Sequence, residues 1–466
     1  MIKTKFPAYD NQDILNALQT SVKDGKVLFD KQSLFDYSNN PKSSNEEVQL
    51  PIAIVLAKSI EDILAVVKVA RQFHTPIITK DTNTSVVGGS RGQNDSIVLS
   101  LAEMNQILEI NPEDGIARVQ AGVINGDLDK AVSKYGFFYA PDPGSKNISS
   151  IGGNVSTNAG GMQSVRYGVT KDQVLGMKVV LMDGRVIELG GRTLKQAFSY
   201  DLTHLFVGSE GTLGIIVEIT VKILPIPLGT PLVGIANFKN MTELTKATGT
   251  LRSSGVYPTV LEALDAATVQ KLDEYESTNY SKDNAAMLIF RLDFTSPEIE
   301  NKVNSILQDF GATNIDISSD PKHASELFKL RNDMLPAIFK GNNHVMEDMS
   351  LPLSKMAEMM DYISDIAKKY NLKIYVAGHA GDGNVHPSFV WDINEKQTPI
   401  AINDAIKDIF NKTLELGGVI SGEHAVGTQK NEWNYAQNGF EGDYLQHQIK
   451  SLLDPMNLLN PGVKIL

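Results

Sequence analysis

The stretch Ile151-Gly152-Gly153-Asn154-Val155-Ser156-Thr157-Asn158-Ala159-Gly160-Gly161 puts four glycines into eleven residues without a charged side chain. With Gly144 upstream it reads as a shaped loop, because glycine lets a backbone turn tightly and approach a ligand closely. Two similar stretches lie outward from it. One is Thr79-Lys80-Asp81-Thr82-Asn83-Thr84-Ser85, followed by Gly88-Gly89. The other is Gly208-Ser209-Glu210-Gly211-Thr212-Leu213-Gly214-Ile215-Ile216. Each adjoins a predicted strand or helix end, and each offers backbone N–H groups that can converge on an anion without cationic side chains. One such loop is a tight turn; three between residues 79 and 216 point to a large, phosphate-bearing cofactor.

Two common nucleotide signatures are absent. The chain has neither G-x-G-x-x-G nor G-x-x-x-x-G-K-[ST], which disfavours a Rossmann NAD site and a P-loop. The elements around the loops alternate. Ser59 can cap a helix whose Ile60, Ile63, Leu64 and Val67 share one face. Ile52–Leu56, Pro76–Thr79 and Ile97–Leu101 read as flanking strands, so the region is βαβ-like. A second helix should carry Leu128, Val132 and Tyr135 and stop at Gly136. Asp183-Gly184 marks a hairpin between 174–182 and 185–189. Pro225-Ile226-Pro227 looks like a linker, which places a domain boundary near 228. Beyond it, strands at 286–290, 315–317 and 374–377 alternate with helical patterns at 241–252, 298–310 and 355–369, predicting an α+β domain with an antiparallel sheet. The stripe Met356, Met359, Met360 and Ile363 reads as core.

Composition narrows the chemistry. The 466 residues suffice for two or three domains, and 42% hydrophobic with 21% charged residues is ordinary for a globular chain. A net charge of −12 argues against nucleic acid as a partner. The chain has no cysteine, which excludes disulfides, Cys-ligated clusters, thiol nucleophiles and a thioether link to a cofactor. Met1–Tyr9 lacks the apolar core of a signal peptide, and prolines interrupt the longest uncharged stretch, at 223–238. These features predict no transmembrane segment and a cytoplasmic address, with peripheral attachment to a membrane left open.

A second constellation is His379-Ala-Gly-Asp-Gly-Asn-Val-His386, placed between two strand-like runs. A hairpin turning at 381–383 would bring both imidazoles to one end of a sheet. Downstream, Gly422-Glu423-His424 adds a carboxylate and a third imidazole. Two histidines and a carboxylate leave coordination positions open on a divalent metal, as catalysis needs; the alternative is surface histidines. Arg331 lies in a helical pattern, with Glu347-Asp348 further on. It suits a carboxylate through bidentate hydrogen bonds, although an arginine on such a helix is commonly a solvated one.

Read together, these motifs resemble the FAD-linked oxidases of the vanillyl-alcohol oxidase/para-cresol methylhydroxylase superfamily. The branch is that of D-lactate dehydrogenases, glycolate oxidase flavin subunits and D-2-hydroxyglutarate dehydrogenases. The resemblance runs from about Leu50 to Ile465 through Pro141-Asp142-Pro143, Ile151 to Gly161, Tyr167-Gly168-Val169, Gly208 to Ile216, His379 to His386, Gly422 to His424, Asp454-Pro455 and Asn460-Pro461-Gly462. It implies an α+β fold with a two-subdomain FAD-binding domain of the para-cresol methylhydroxylase type (1–228, core about 48–227). A ferredoxin-like cap (229–415) and a C-terminal segment (416–466) returning to the active site complete it.

By the same resemblance, FAD is held by Thr79 to Ser85, Gly88 and Gly89, Pro141, Asp142, Gly144 and Ser145, Ile151 to Asn154, and Thr157, Asn158, Gly160 and Gly161. Glu210, Gly211, Gly214, Ile215 and Ile216 complete that set. His379, His386 and Glu423 fall on the metal positions, with Zn first and Mn, Fe or Co as alternatives. His424 falls on the general base and Arg331 on the carboxylate anchor. The implied reaction oxidises a small D-2-hydroxy acid of the D-lactate or glycolate type to the 2-oxo acid. The metal assists deprotonation of the hydroxyl, and a hydride passes to the flavin. Electrons then go to oxygen, a quinone, a carrier protein or a partner subunit, and a homodimer is compatible. A same-fold enzyme acting on D-2-hydroxyglutarate or a sugar acid, and a flavin-binding electron-transfer subunit, stay open as alternatives. This chain departs from the family at Asp81 and Asn83, where glycines are usual, and at Met346, where the hydroxyglutarate enzymes carry a lysine.

Overall fold

The computed structural model describes residues 10–38 and 49–466; Met1–Tyr9, read above for targeting, lies outside them. Two compact units emerge. The first combines residues up to 159 with 169–226 and 424–466; the second combines 160–168 with 227–423.

In the first unit, strands Ala53–Leu56, Ile97–Ser100 and Ile77–Lys80 pair in parallel, with Lys26–Leu28 antiparallel on the outer edge. The crossover is helix Ile60–Phe73, where the Ser59 hydroxyl accepts from Asp62 N at 3.3 Å. A second, antiparallel sheet runs Ile107–Asn111, Ile116–Gln120, Ile215–Lys222, Val174–Val180, Val186–Gly190. The predicted hairpin at Asp183-Gly184 joins its last two strands. Buried aliphatic side chains from both sheets and helix Ile60–Phe73 share one core.

Two local expectations need correction. Ile151–Thr157 is a helix, not a loop: Ser150 caps it by accepting from Gly153 N at 3.1 Å, and Asn158 ends it in the left-handed region. Gly152 is small because helix and strand meet there; a Cβ would lie 2.7 Å from Ala121 Cβ. Tyr135 does not continue the Leu128–Val132 face, because helix Asn125–Ser133 ends first and Tyr135 is exposed.

The second unit is built on an eight-stranded antiparallel sheet, as the sequence predicts. Its path is Thr313–Ser318, Leu232–Phe238, Ala286–Leu292, Val260–Leu264, Lys373–His379, Asn384–Asp392, Asn342–Met346, with Met349–Ser350 also on Asn384–Asp392. Every residue of Leu232–Phe238 and Val260–Leu264 is buried, so both faces of the sheet are covered. Ala266–Glu276 and Pro321–Phe339 pack their apolar residues onto Val233, Ile235, Leu264 and Ile289. The stripe Met356, Met359, Met360 and Ile363 is fully buried, as read. Among the described residues no helix is long and apolar enough to cross a membrane.

Candidate functional site

In the first unit the glycine-rich stretches converge. Asn460 ties two of them together: its Oδ1 accepts from Thr79 N at 2.8 Å, while its Nδ2 donates to Thr79 Oγ1 at 3.0 Å and to the Glu210 carbonyl at 2.8 Å. The Gly208 and Glu210 N–H groups donate to Val155 and Ser156 carbonyls at 2.9 and 2.8 Å, which fixes the third stretch to the Ile151–Thr157 helix. Asn125 Nδ2 joins the Pro141 carbonyl at 3.2 Å to Asn154 Oδ1 at 3.0 Å. Asn460 belongs to the Asn460-Pro461-Gly462 motif, although its tie between the two loops was not read from it, and Asn125 is an isolated asparagine that the motif reading missed.

Several side chains of the expected FAD set have other work. Glu210, with positive φ, accepts from Val426 N and Gly427 N at 3.0 and 2.7 Å and lies 3.3 Å from Lys464 Nζ. Lys80 donates to the Tyr37 carbonyl, and burial pulls its ammonium down to about 8. A Cβ on Gly214 would meet Val179 and Phe206, and Ile215 and Ile216 are core residues of a central strand. These five are explained by packing and ties within the unit.

Other positions fit a bound cofactor. Asn83 adopts the left-handed conformation that asparagine tolerates, and Gly144 faces open space. Both Asp81 carboxylate oxygens and Ser209 Oγ are buried without a well-formed hydrogen bond among the described residues. Burial pushes the Asp81 carboxyl up to about 6, only partly offset by the Ser150 hydroxyl. Buried acceptors of this kind suit a hydroxyl-bearing cofactor better than a dry core. His424 opens the C-terminal stretch of this unit, two and three residues before the backbone amides held by Glu210.

In the second unit, strands Lys373–His379 and Asn384–Asp392 form the predicted hairpin, pairing His379 with Asn384 and Ala377 with His386. The two imidazole centroids lie 5.2 Å apart. Glu423 completes the set: its Oε1 is 3.4 Å from His379 Nε2 and 3.2 Å from His386 Nε2. One ligand atom from each residue lies within 4.8 Å of the other two. Gly160, expected to hold FAD, sits beside this set, where a Cβ would come 2.6 Å from Glu423 Oε2.

Both opposite ring nitrogens face carboxylates. Glu262 Oε1 is 2.5 Å from His379 Nδ1, and Asp348 Oδ1 is 3.8 Å from His386 Nδ1. Asp348 Oδ2 also accepts from Glu423 N at 2.9 Å and Ser421 Oγ at 3.0 Å. The Glu262 contact is of the kind that orients a metal-binding imidazole, whereas 3.8 Å from Asp348 is beyond hydrogen-bond length. Nearby, Asn384 Oδ1 is buried without a hydrogen bond among the described residues.

The charges are strongly coupled. Burial alone would depress His379, but Glu262 and Glu423 overcome it and hold the imidazole well above its ordinary range. Burial would raise Glu423, yet His379 and His386 hold it well below the usual carboxylate value. Protons and a divalent cation therefore compete for the same nitrogens, and the donor set fits such a cation. Arg331 Nε donates to Glu262 Oε2 at 2.6 Å, and its terminal nitrogens make no hydrogen bond among the described residues. The sequence reading missed Glu262, the residue that links these groups.

The fold, with the family matches of the sequence, defines a flavin-dependent oxidoreductase. The sequence matches the FAD binding domain family over residues 51–190 and the C-terminal domain of the FAD linked oxidases over 232–463, and the chain belongs to the FAD-linked oxidases. It is similar to the glycolate oxidase subunit GlcD of Bacillus subtilis (strain 168), 35% identical with 92% of this chain and 91% of that one covered. It also resembles a D-lactate dehydrogenase of Anaerostipes hadrus, 31% identical over 88% and 89%. In fold it matches p-cresol methylhydroxylase, with a TM-score of 0.78 at 19% identity over 97% of this chain and 96% of that one.

Proposed function

We propose that the protein oxidises a small D-2-hydroxy acid of the D-lactate or glycolate type to the 2-oxo acid. The observation that carries this reading is Arg331, held through Glu262 to an imidazole of the His379/His386/Glu423 set, with its terminal guanidinium nitrogens making no hydrogen bond among the described residues. The loops around 79–85, 141–145, 151–161 and 210–216 would hold FAD, mainly through backbone, and the flavin would supply the two-electron acceptor for the hydrogen leaving Cα. His379, His386 and Glu423 would hold a divalent metal, Zn or else Mn, Fe or Co, which would supply the Lewis acidity that lowers the substrate hydroxyl pKa. Arg331 binds the carboxylate end-on through its two terminal nitrogens and so fixes which face of Cα is presented. His424 accepts the hydroxyl proton. Oxygen, a quinone, a carrier protein or a partner subunit would serve as the acceptor that reoxidises the flavin. The relatives named glycolate oxidase subunit and D-lactate dehydrogenase support the substrate class.

The test is anaerobic mixing of the purified flavoprotein with glycolate, D-lactate, L-lactate and D-2-hydroxyglutarate, with metal analysis of the same sample. The reading expects flavin bleaching by glycolate or D-lactate and a stoichiometric divalent metal. Bleaching by none of the four, or full activity without metal, would overturn it.

A further inference from the structure

The His379/His386/Glu423 set and Arg331 lie on different elements, a strand end and the middle of a helix, yet one side chain touches both. Glu262 sits on the central strand Val260–Leu264, where it pairs across the sheet with His379 on one side and Ile289 on the other. It is 2% exposed, among Leu261 at 1% and Ala263 and Leu264 at 0%. A carboxylate in such surroundings is costly unless both oxygens are engaged. Here Oε1 takes His379 Nδ1 and Oε2 takes Arg331 Nε.

We propose that Glu262 is a positioning residue that sets the metal ligand and the substrate-anion anchor together, so that one buried carboxylate fixes the distance between the two binding functions. The inference rests on the reading of His379 as a metal ligand and Arg331 as an anion anchor. A carboxylate accepting from Nδ1–H fixes the ring's tautomer and leaves the Nε2 lone pair as the ligating one, on the side of Glu423. Engaging Arg331 at Nε, rather than at a terminal nitrogen, locks the guanidinium plane and leaves its paired terminal nitrogens for a carboxylate. An ordinary structural ion pair would need only one of these contacts. A glutamine at 262 keeps the shape but takes the charge from both contacts and must turn an N–H toward one of the two donors, so both functions should suffer.

The experiment uses the full-length flavoprotein, stripped of metal and titrated with Zn²⁺ against a chromophoric chelator. Anaerobic flavin reduction is then followed as a function of D-lactate or glycolate, whichever reduces the wild type. Glu262→Gln is expected to weaken Zn²⁺ binding by about 10–100-fold. It should also raise the half-saturating hydroxy-acid concentration at least tenfold, with FAD content retained. Wild-type Zn²⁺ affinity in this variant, or weakened metal binding with unchanged half-saturation, would overturn the proposal. Should Glu262→Gln fail to fold, Glu262→Asp serves. It keeps the charge but is a methylene short, and should lose one function or the other; retention of both would also overturn it. A wild-type protein that takes up no divalent metal, or an Arg331→Lys variant with unaltered half-saturation, would instead refute the underlying reading, and the proposal with it.

Discussion

His424 carries the sharpest residue-level expectation. In the proposed role of proton acceptor, it should be worth roughly 10²–10⁴-fold in the rate of flavin reduction, so His424→Ala should keep its yellow colour and reduce slowly in stopped flow. A nearly unchanged rate, or joint loss of FAD and stability, would remove it from the chemistry. Asp265 gives a pH prediction. It caps helix Ala266–Glu276 by accepting from Thr268 N at 2.8 Å, and burial pushes its carboxyl up to about 6, above an unfolded value near 3.9. Folding therefore favours the protonated form: stability from this group is complete below about pH 4 and is lost as pH rises through 6. Asparagine caps equally well and carries no charge, so Asp265→Asn should melt about 2–4 °C higher at pH 7.5 and match the wild type at pH 4. A difference that does not depend on pH would contradict this. At this scale sequence shows residue types but not partners. The two histidines were legible because they bracket a glycine turn; Glu262 was not, because its partners lie 69 and 117 residues away.

At the scale of elements, regular hairpins and capped helices were readable because their signals are local. The Asp183-Gly184 and 381–383 turns and the Ser59 cap all form where their chemistry places them. The failure at Ile151–Thr157 is instructive. Glycine pairs suggest a loop, but here Ser150 starts a helix and Gly152 exists so that helix and Ala121 can touch, a long-range reason no local pattern reports. Two alanine substitutions separate the roles of glycine. Gly152→Ala puts a Cβ 2.7 Å from Ala121 Cβ and 2.9 Å from its carbonyl oxygen, an overpacking worth about 1–3 kcal/mol, and should lower the melting temperature and loosen FAD together. Gly144→Ala meets nothing within 4 Å and should leave melting unchanged, so any loss of flavin there would report contact with the cofactor. Equal melting temperatures for the two variants in differential scanning calorimetry would contradict the packing account.

For the whole molecule, the sequence conveyed the α+β class and the antiparallel sheet of the second unit, because strand and helix periodicities persist over long stretches. It did not convey that 160–168 groups with 227–423, since membership depends on contacts such as Tyr167 Oη to Asp293 and Arg166 over the Tyr257 ring at 4.8 Å. Substrate size is also a property of the assembled unit. Arg331 offers one guanidinium, and its Nε is already spent on Glu262, so it can hold a single carboxylate. Met346, on the strand opposite Ser388, brings no charge, and Lys340 lies over the Tyr275 ring at 5.0 Å. On the proposed reading a two- or three-carbon hydroxy acid satisfies its only carboxylate at Arg331, whereas D-2-hydroxyglutarate needs a cation for its second one, which Met346 does not supply. An unpaired interior charge costs several kcal/mol, and each 1.4 kcal/mol is about tenfold. Discrimination in favour of D-lactate or glycolate should therefore reach at least 10²-fold in the second-order rate of flavin reduction. Met346→Lys should narrow that gap by supplying the missing cation, at little cost to the smaller substrates. A wild-type preference for the dicarboxylate would show that another cation reaches the pocket and that Met346 does not set substrate size.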